Sequence, residues 1–135
     1  MRTAIDRYFN EVLSNENPAA ADELLTDDVV CRLPTGQTTH GVQAVKDAVA
    51  GAAAAFPHRG VHVDQAILLD DRAAIVYTLV MAHVGDFLGI AATGNEITVT
   101  GVDIFRFTDG KISEIDVFYD PQLIFEQLGI DPDAL

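Results

Sequence analysis

Apolar residues recur at helical spacing at the start of the chain: Ile5, Tyr8, Phe9, Val12 and Leu13 share one face, which predicts an amphipathic first helix. Thr3 and Asp6 supply a T-x-x-D capping pattern in front of it. In "NENP", Asn17 is placed to cap a short second helix, with Pro18 at its first position and Leu25 near its end. "DDVVCRL" reads as a strand and "PTGQTTHG" as a loop. Val42, Val45, Val49, Ala53 and Phe56 predict a third helix, closed by Pro57. After it the period changes from about four to two. "GVHVDQAILL" and "RAAIVYTLVMAHVG" flank a turn at Asp70–Asp71, and "DFLGIAATG" is a Gly-rich loop. "EITVTGVDIFRF" and "KISEIDVFYD" flank "TDG", a strong hairpin signal. Pro121 opens a last short helix, for which Gly129 is a suitable C-terminal cap. Helices followed by four long strands indicate an α+β domain: a curved antiparallel sheet with helices on one face.

At 135 residues the chain is expected to form a single domain over residues 1–135. A hydrophobic content of 49% supports a buried core and argues against disorder. The 21 acidic residues outnumber the 8 basic ones, leaving a formal charge of −13. This acidic protein would repel nucleic acid and anionic membrane surfaces, so neither is an expected partner. A high-salt cytoplasm or a GC-rich genome would each produce such a bias. "MRTAIDRYFNEV" has no apolar segment of signal-peptide type, and "AAIVYTLVMA" is too short to span a bilayer. With Cys31 alone no internal disulfide forms, and a cytoplasmic location is expected.

Candidate chemistry gathers in the last hairpin. In "ISEIDVFYD", alternation puts Ser113, Ile115, Val117 and Tyr119 on one face and Ile112, Glu114, Asp116, Phe118 and Asp120 on the other. A two-residue Asp109–Gly110 turn would set Asp103 opposite Asp116, with Cβ atoms about 5 Å apart. In a poorly solvated pocket one of two such carboxyls would then resist ionisation. A three-residue loop with a bulge would turn Asp103 to the other face, opposite Ile115. Only the first register gathers the polar residues on one side. His40, His58 and His62 lack ligand spacing, no metal or phosphate-binding motif is present, and Cys31 reads as a core residue.

The order of elements, together with "HVGDFLGIAATG", "GVDIFRFTDGKISE" and an Asp followed by a helix ending in "EQLG", resembles the SnoaL-like polyketide cyclases of the nuclear transport factor-like superfamily. The resemblance covers nearly the whole chain. It implies a cone-shaped pocket between the sheet and its helices, no cofactor, and a small hydrophobic molecule as ligand. It implies a homodimer paired through the outer sheet face, for which Ile115 and Val117 look suited. It also implies that Asp120, at the end of the last strand, is the acid/base. Where the family often carries Trp, this chain has Asp116, which puts the usual large substrate in doubt. "AIDRY" and "VDIFRF" resemble the oxyanion-hole segments of ketosteroid isomerases, with Tyr8 and Asp103 as the two donors; the isomerases' general base on the first strand is missing from "VVCRLP". His83 is a candidate for orienting a carboxylate.

Three functions compete on this basis. One is a cofactor-free cyclase or isomerase acting next to a carbonyl through Asp120, Asp103 and Tyr8, with Asp116 and His83 as further site residues. Another is an epoxide hydrolase, although Gly101 stands where that group carries Arg. The third is a non-catalytic small-ligand-binding module. Convergence of Tyr8, Asp103 and Asp120 on one closed pocket would favour the first.

Overall fold

A computed structural model describes residues 1–131 and 133. The first helix, α1 (Arg2–Arg7), continues without a break as a π-helical segment, Tyr8–Leu13. Its start is two residues earlier than the capping pattern suggests: Met1 occupies the cap position and no side chain caps the helix. Ile5, Tyr8, Phe9 and Val12 are all buried, as their spacing predicts. A 3-10 turn (Pro18–Ala20) leads into α2 (Ala21–Leu24), and Asn17 caps it through its backbone, while its side-chain amide donates to Glu11. The third helix, α3, spans Val42–Ala55, and α4 spans Gln122–Leu128. Gly129 ends α4 at φ 72°, with Ile130 N–H donating to the Phe125 carbonyl, as expected of a glycine cap.

The strands are β1 (Leu25–Arg32), β2 (Thr38–His40), β3 (His58–Leu68), β4 (Arg72–Ala82), β5 (Glu96–Thr108) and β6 (Lys111–Phe118). They form one open sheet in the order β2-β1-β6-β5-β4-β3. Two features depart from the sequence reading. The stretch read wholly as a loop contains β2, which pairs antiparallel with β1. The sheet is also mixed, because β1 lies parallel to β6. Both pairings are set by long-range packing, which leaves no periodic trace in so short a segment.

One face of the sheet is apolar and carries α1, its π-helical extension and α3. Tyr8 and Phe9 pack edge-on against Phe105, at centroid distances of 5.5 and 6.0 Å, and Phe9 lies 5.2 Å from Tyr77. Such contacts add about 0.5–1.5 kcal/mol each beyond the area they bury. On α3 the cavity-facing residues Ala48, Val49 and Ala52 are small. A cavity remains between helix and sheet.

The hairpin between β5 and β6 decides what enters that void. Asp109 (φ 51°) and Gly110 (φ 82°) form the two-residue turn, and Thr108 pairs with Lys111. The register then slips: Phe107 pairs with Ile112 but Arg106 with Glu114, so Ser113 is an extra residue. Its hydroxyl donates to the Arg106 carbonyl at 3.3 Å and accepts from Thr108 Oγ1 at 2.9 Å, which supplies partners at the bulge. As a result both Ile112 and Ile115 are fully buried, which strict alternation forbids for residues three apart.

Candidate functional site

On β5 the inward face reads Ile97, Val99, Gly101, Asp103, Phe105, Phe107: one carboxylate in an otherwise apolar row. Beyond the bulge Asp103 pairs with Val117, while Asp116 pairs with Ile104 on the outer face. The expected opposition of Asp103 and Asp116 is therefore corrected, because the extra residue turns Asp116 outward. There Arg32 Nη1 donates to Asp116 at 3.1 Å, and Arg32 and Arg106 each lie 3.7 Å from Glu114. Among the described residues Asp103 has no cationic partner.

Asp103 is 2% exposed and lines a cavity of about 320 Å³. Burial pushes its pKa up to about 7, and the nearby Tyr77 hydroxyl, which favours the ionised form, opposes the rise. Its Oδ1 has no hydrogen-bond partner among the described residues. Tyr8, Tyr77, Tyr119 and Cys31 also line the cavity, and the negative charge of Asp103 further opposes ionisation of each. The three phenols thus stay protonated and can donate. Burial and this charge push the Cys31 thiol up to about 11, so it is a neutral wall rather than a nucleophile.

Tyr77 reaches Asp103 because of a glycine. Tyr77 pairs with Gly101 across β4 and β5, and its ring folds over that position. A Cβ at residue 101 would fall 2.7 Å from the Tyr77 hydroxyl oxygen and 3.0 Å from the Phe118 carbonyl oxygen. A larger side chain at residue 101 would displace the Tyr77 ring, and among the described residues neither Arg nor Lys lines the cavity. The remaining walls are apolar, among them Leu79, Val99, Phe56 and Phe87. Phe87, from the loop after β4, and Ile124, from α4, close over one end, with Phe87 4.9 Å from Phe56.

The site expected from the sequence is thus brought together only in part. Tyr8 and Asp103 face the cavity. Asp120 does not: it is exposed, accepts a hydrogen bond from Gln122 N–H at 3.0 Å at the start of α4, and lies with Asp116 in a shallow outer groove. Leu33, Val117 and Tyr119 line both the groove and the cavity, and form the wall between them. His83 is buried behind Phe56, stacked at 5.0 Å, and accepts from Thr93 N–H at Nδ1. It pins the loop that carries Phe87 and does not line the cavity.

Tyr77, Tyr119 and His58 were not singled out by sequence. Tyr77 could have been found from its place in the row Ala73, Ile75, Tyr77, Leu79, Met81. His58 gave no signal: it lines the cavity only because β3 starts beside Met81. Among the described residues no group of three or more His, Cys, Asp or Glu side chains is placed to hold a metal ion.

A family profile described as SnoaL-like polyketide cyclase matches residues 3–128. No curated protein matches the chain. Several solved structures share the fold. A candidate SnoaL-like polyketide cyclase from Jannaschia sp. CCS1 is 22% identical, with a TM-score of 0.86 over 96% of this chain and 92% of its own. IdmH, a candidate polyketide cyclase from Streptomyces antibioticus, is 22% identical with a TM-score of 0.82, covering 96% and 98%. A Catenulispora acidiphila protein of ketosteroid isomerase-like fold, solved with trimethylamine, is 16% identical with a TM-score of 0.79, covering 96% and 95%.

Proposed function

The chain belongs to the SnoaL-like polyketide cyclase family, and on that premise we propose that it is a cofactor-free enzyme acting on a small hydrophobic carbonyl compound, with Asp103 as the group that moves the proton. The observation that carries this reading is the lone carboxyl of Asp103, unpartnered at Oδ1, in an apolar cavity lined by three protonated phenols. A carboxyl whose pKa is near 7 is half ionised in a neutral cell and can serve as base and acid in turn. The ionised form takes a proton from the carbon next to the substrate carbonyl. The electron pair of that C–H bond moves to the carbonyl oxygen, and the Tyr8 hydroxyl stabilises the resulting enolate. Tyr77 holds the carboxyl in place. The protonated Asp103 then returns its proton, either to carbon, which shifts a double bond, or to the alkoxide formed when the enolate carbon closes a ring on a second carbonyl.

Enolisation can be measured without the natural substrate. Deuterium exchange at the α-carbons of 2-tetralone, followed by NMR in D₂O, should be accelerated by the protein and depend on Asp103. Absence of exchange above the buffer rate would favour a binding module.

The protein is proposed to work as a homodimer, in the cytosol. The reason given by sequence for the dimer needs correcting, since Ile115 is fully buried and Val117 lines the cavity. The outer face instead offers Ile67, Ala74 and Ile104 in one cross-strand row and Val76, Val102 and Phe118 in the next. Phe118 is 54% and Ile67 57% exposed. A face of this kind favours a partner of the same kind. Light scattering at micromolar concentration should give twice the mass of one chain, and Phe118→Glu should halve it. A single-chain mass for the unaltered protein would overturn the dimer.

A further inference from the structure

One side chain pairs with a strand as a neighbouring strand would. Gln127 Nε2 donates to the Thr98 carbonyl at 2.8 Å, and Gln127 Oε1 accepts from Thr98 N–H at 2.8 Å. Thr98 is open to this because β6 stops pairing with β5 at Phe118, opposite Val102. Four residues further along β5, the side-chain amide from α4 takes both backbone groups that an added strand would take.

Little else fastens α4. Of its seven residues only Leu128 is buried, and Leu123 is 37% exposed. A helix this short does not hold itself together in water, and a segment with so few buried apolar contacts belongs to the low-stability end of a fold. Yet α4 helps to enclose the cavity. Ile124 lines it, and the Phe125 ring lies 6.0 Å from that of Phe87.

The neighbouring parts of the enclosure are tied more firmly. The loop that carries Phe87 is held at its base by Gly94 N–H on the His83 carbonyl at 2.8 Å, and by Val84 and Gly85 N–H on the Ala55 carbonyl at 3.0 and 3.2 Å. Its tip is closed by reciprocal bonds between Phe87 and Ile90 at 2.9 and 2.8 Å. At Gly85 the packing is so close that a Cβ would fall 2.4 Å from the Ala54 carbonyl oxygen. On the side of the outer groove, Val117 is a sheet residue paired with Asp103.

We propose that α4 is a lid on the cavity and that Gln127 is its latch: the helix swings away as a unit when the two hydrogen bonds to Thr98 break, and the ligand passes between Phe87 and Ile124. The proposal is independent of the chemistry assigned to Asp103, and its test needs no substrate.

Two rates are compared at pH 7 on the full chain. Hydrogen exchange followed by NMR reads the opening of α4 from the amides of Glu126, Gln127 and Leu128. Cys31, the single cysteine of the chain, lines the cavity, so its labelling by the small neutral reagent methyl methanethiosulfonate reads entry. In Gln127→Ala both rates should rise together by about 10-fold, the scale of losing one or two hydrogen bonds. Exchange at Phe105, in the centre of the sheet, should not change. Gln122→Ala, on the same helix but away from Thr98, should move neither rate by more than about 2-fold. Faster α4 exchange with unchanged Cys31 labelling would overturn the lid, because the helix would then open without admitting anything. An equal rise at Phe105 would overturn it too, since the whole fold rather than α4 would be opening. Unchanged rates in Gln127→Ala, or an equal rise in Gln122→Ala, would overturn the latch.

Discussion

At pH 8 the Asp103→Asn variant should melt about 10 °C above the unaltered protein, and the gap should shrink by more than half at pH 5. The sign follows from burial. The unfolded chain ionises Asp103 at the ordinary aspartate value of 3.8, whereas the folded chain holds its pKa at about 7. Between these values the folded state binds a proton that the unfolded state has lost, so stability falls as pH rises, by about 1.4 kcal/mol per pH unit. Below 3.8 the group is neutral in both states and costs nothing by this route. Above 7 the loss levels off at roughly 4 kcal/mol. Asparagine keeps the shape and can still accept from Tyr77, but it carries no charge to bury. Removing an acid that function requires would thus stabilise the fold, a trade-off common at active sites. Thermal melts of both proteins from pH 4 to 8 check this, and parallel curves would contradict it.

The same substitution should lower the 2-tetralone exchange rate by about 100-fold or more, the usual scale for removing a general base. Tyr8→Phe should cost a comparable factor, since it deletes a donor aimed at the enolate oxygen. Asp116→Asn and Asp120→Asn should stay within about 2-fold, because one carboxylate pairs with Arg32 and the other meets the start of α4, both outside the cavity. The pH profile adds a second constraint. The base form is the active one, so the rate should rise with pH and flatten above about 7. The nearby Tyr77 hydroxyl holds the pKa of Asp103 lower than burial alone would. Tyr77→Phe should therefore move the midpoint of that profile upward, whereas a purely structural role for Tyr77 would lower the rate and leave the midpoint in place. A loss confined to Asp120→Asn would return the site to the outer groove.

Much of this arrangement is legible in the sequence, and the gaps have definite physical origins. The order of helices and strands, the Asp109–Gly110 turn and the Gly129 cap follow from local rules that act within a few residues. Tyr8 and Asp103 are reached through the resemblance of "AIDRY" and "VDIFRF" to the oxyanion-hole segments of ketosteroid isomerases. Asp120 is expected from the family resemblance and lies outside the cavity, whereas the expected opposition of Asp103 and Asp116 fails at one residue, Ser113. Its bulge exists because Ile112 and Ile115 are both needed in the core, and a two-residue period cannot bury both. Read with that conflict in mind, "KISEI" signals an interruption between Ile112 and Ile115. The parallel β1–β6 pair and the three-residue β2 leave no such signal, because they are fixed by contacts between distant segments. His58 belongs to the same class: its meaning comes from the curvature that brings the start of β3 to the cavity.

In the proposed mechanism Asp103 is a buried carboxyl that titrates near neutrality. Carboxyl ¹³C NMR of the unaltered protein, with the Asp103 signal assigned from its loss in Asp103→Asn, measures this directly. A titration midpoint near 7 is the expected result; a midpoint near 4, where an ordinary aspartate titrates, would contradict it.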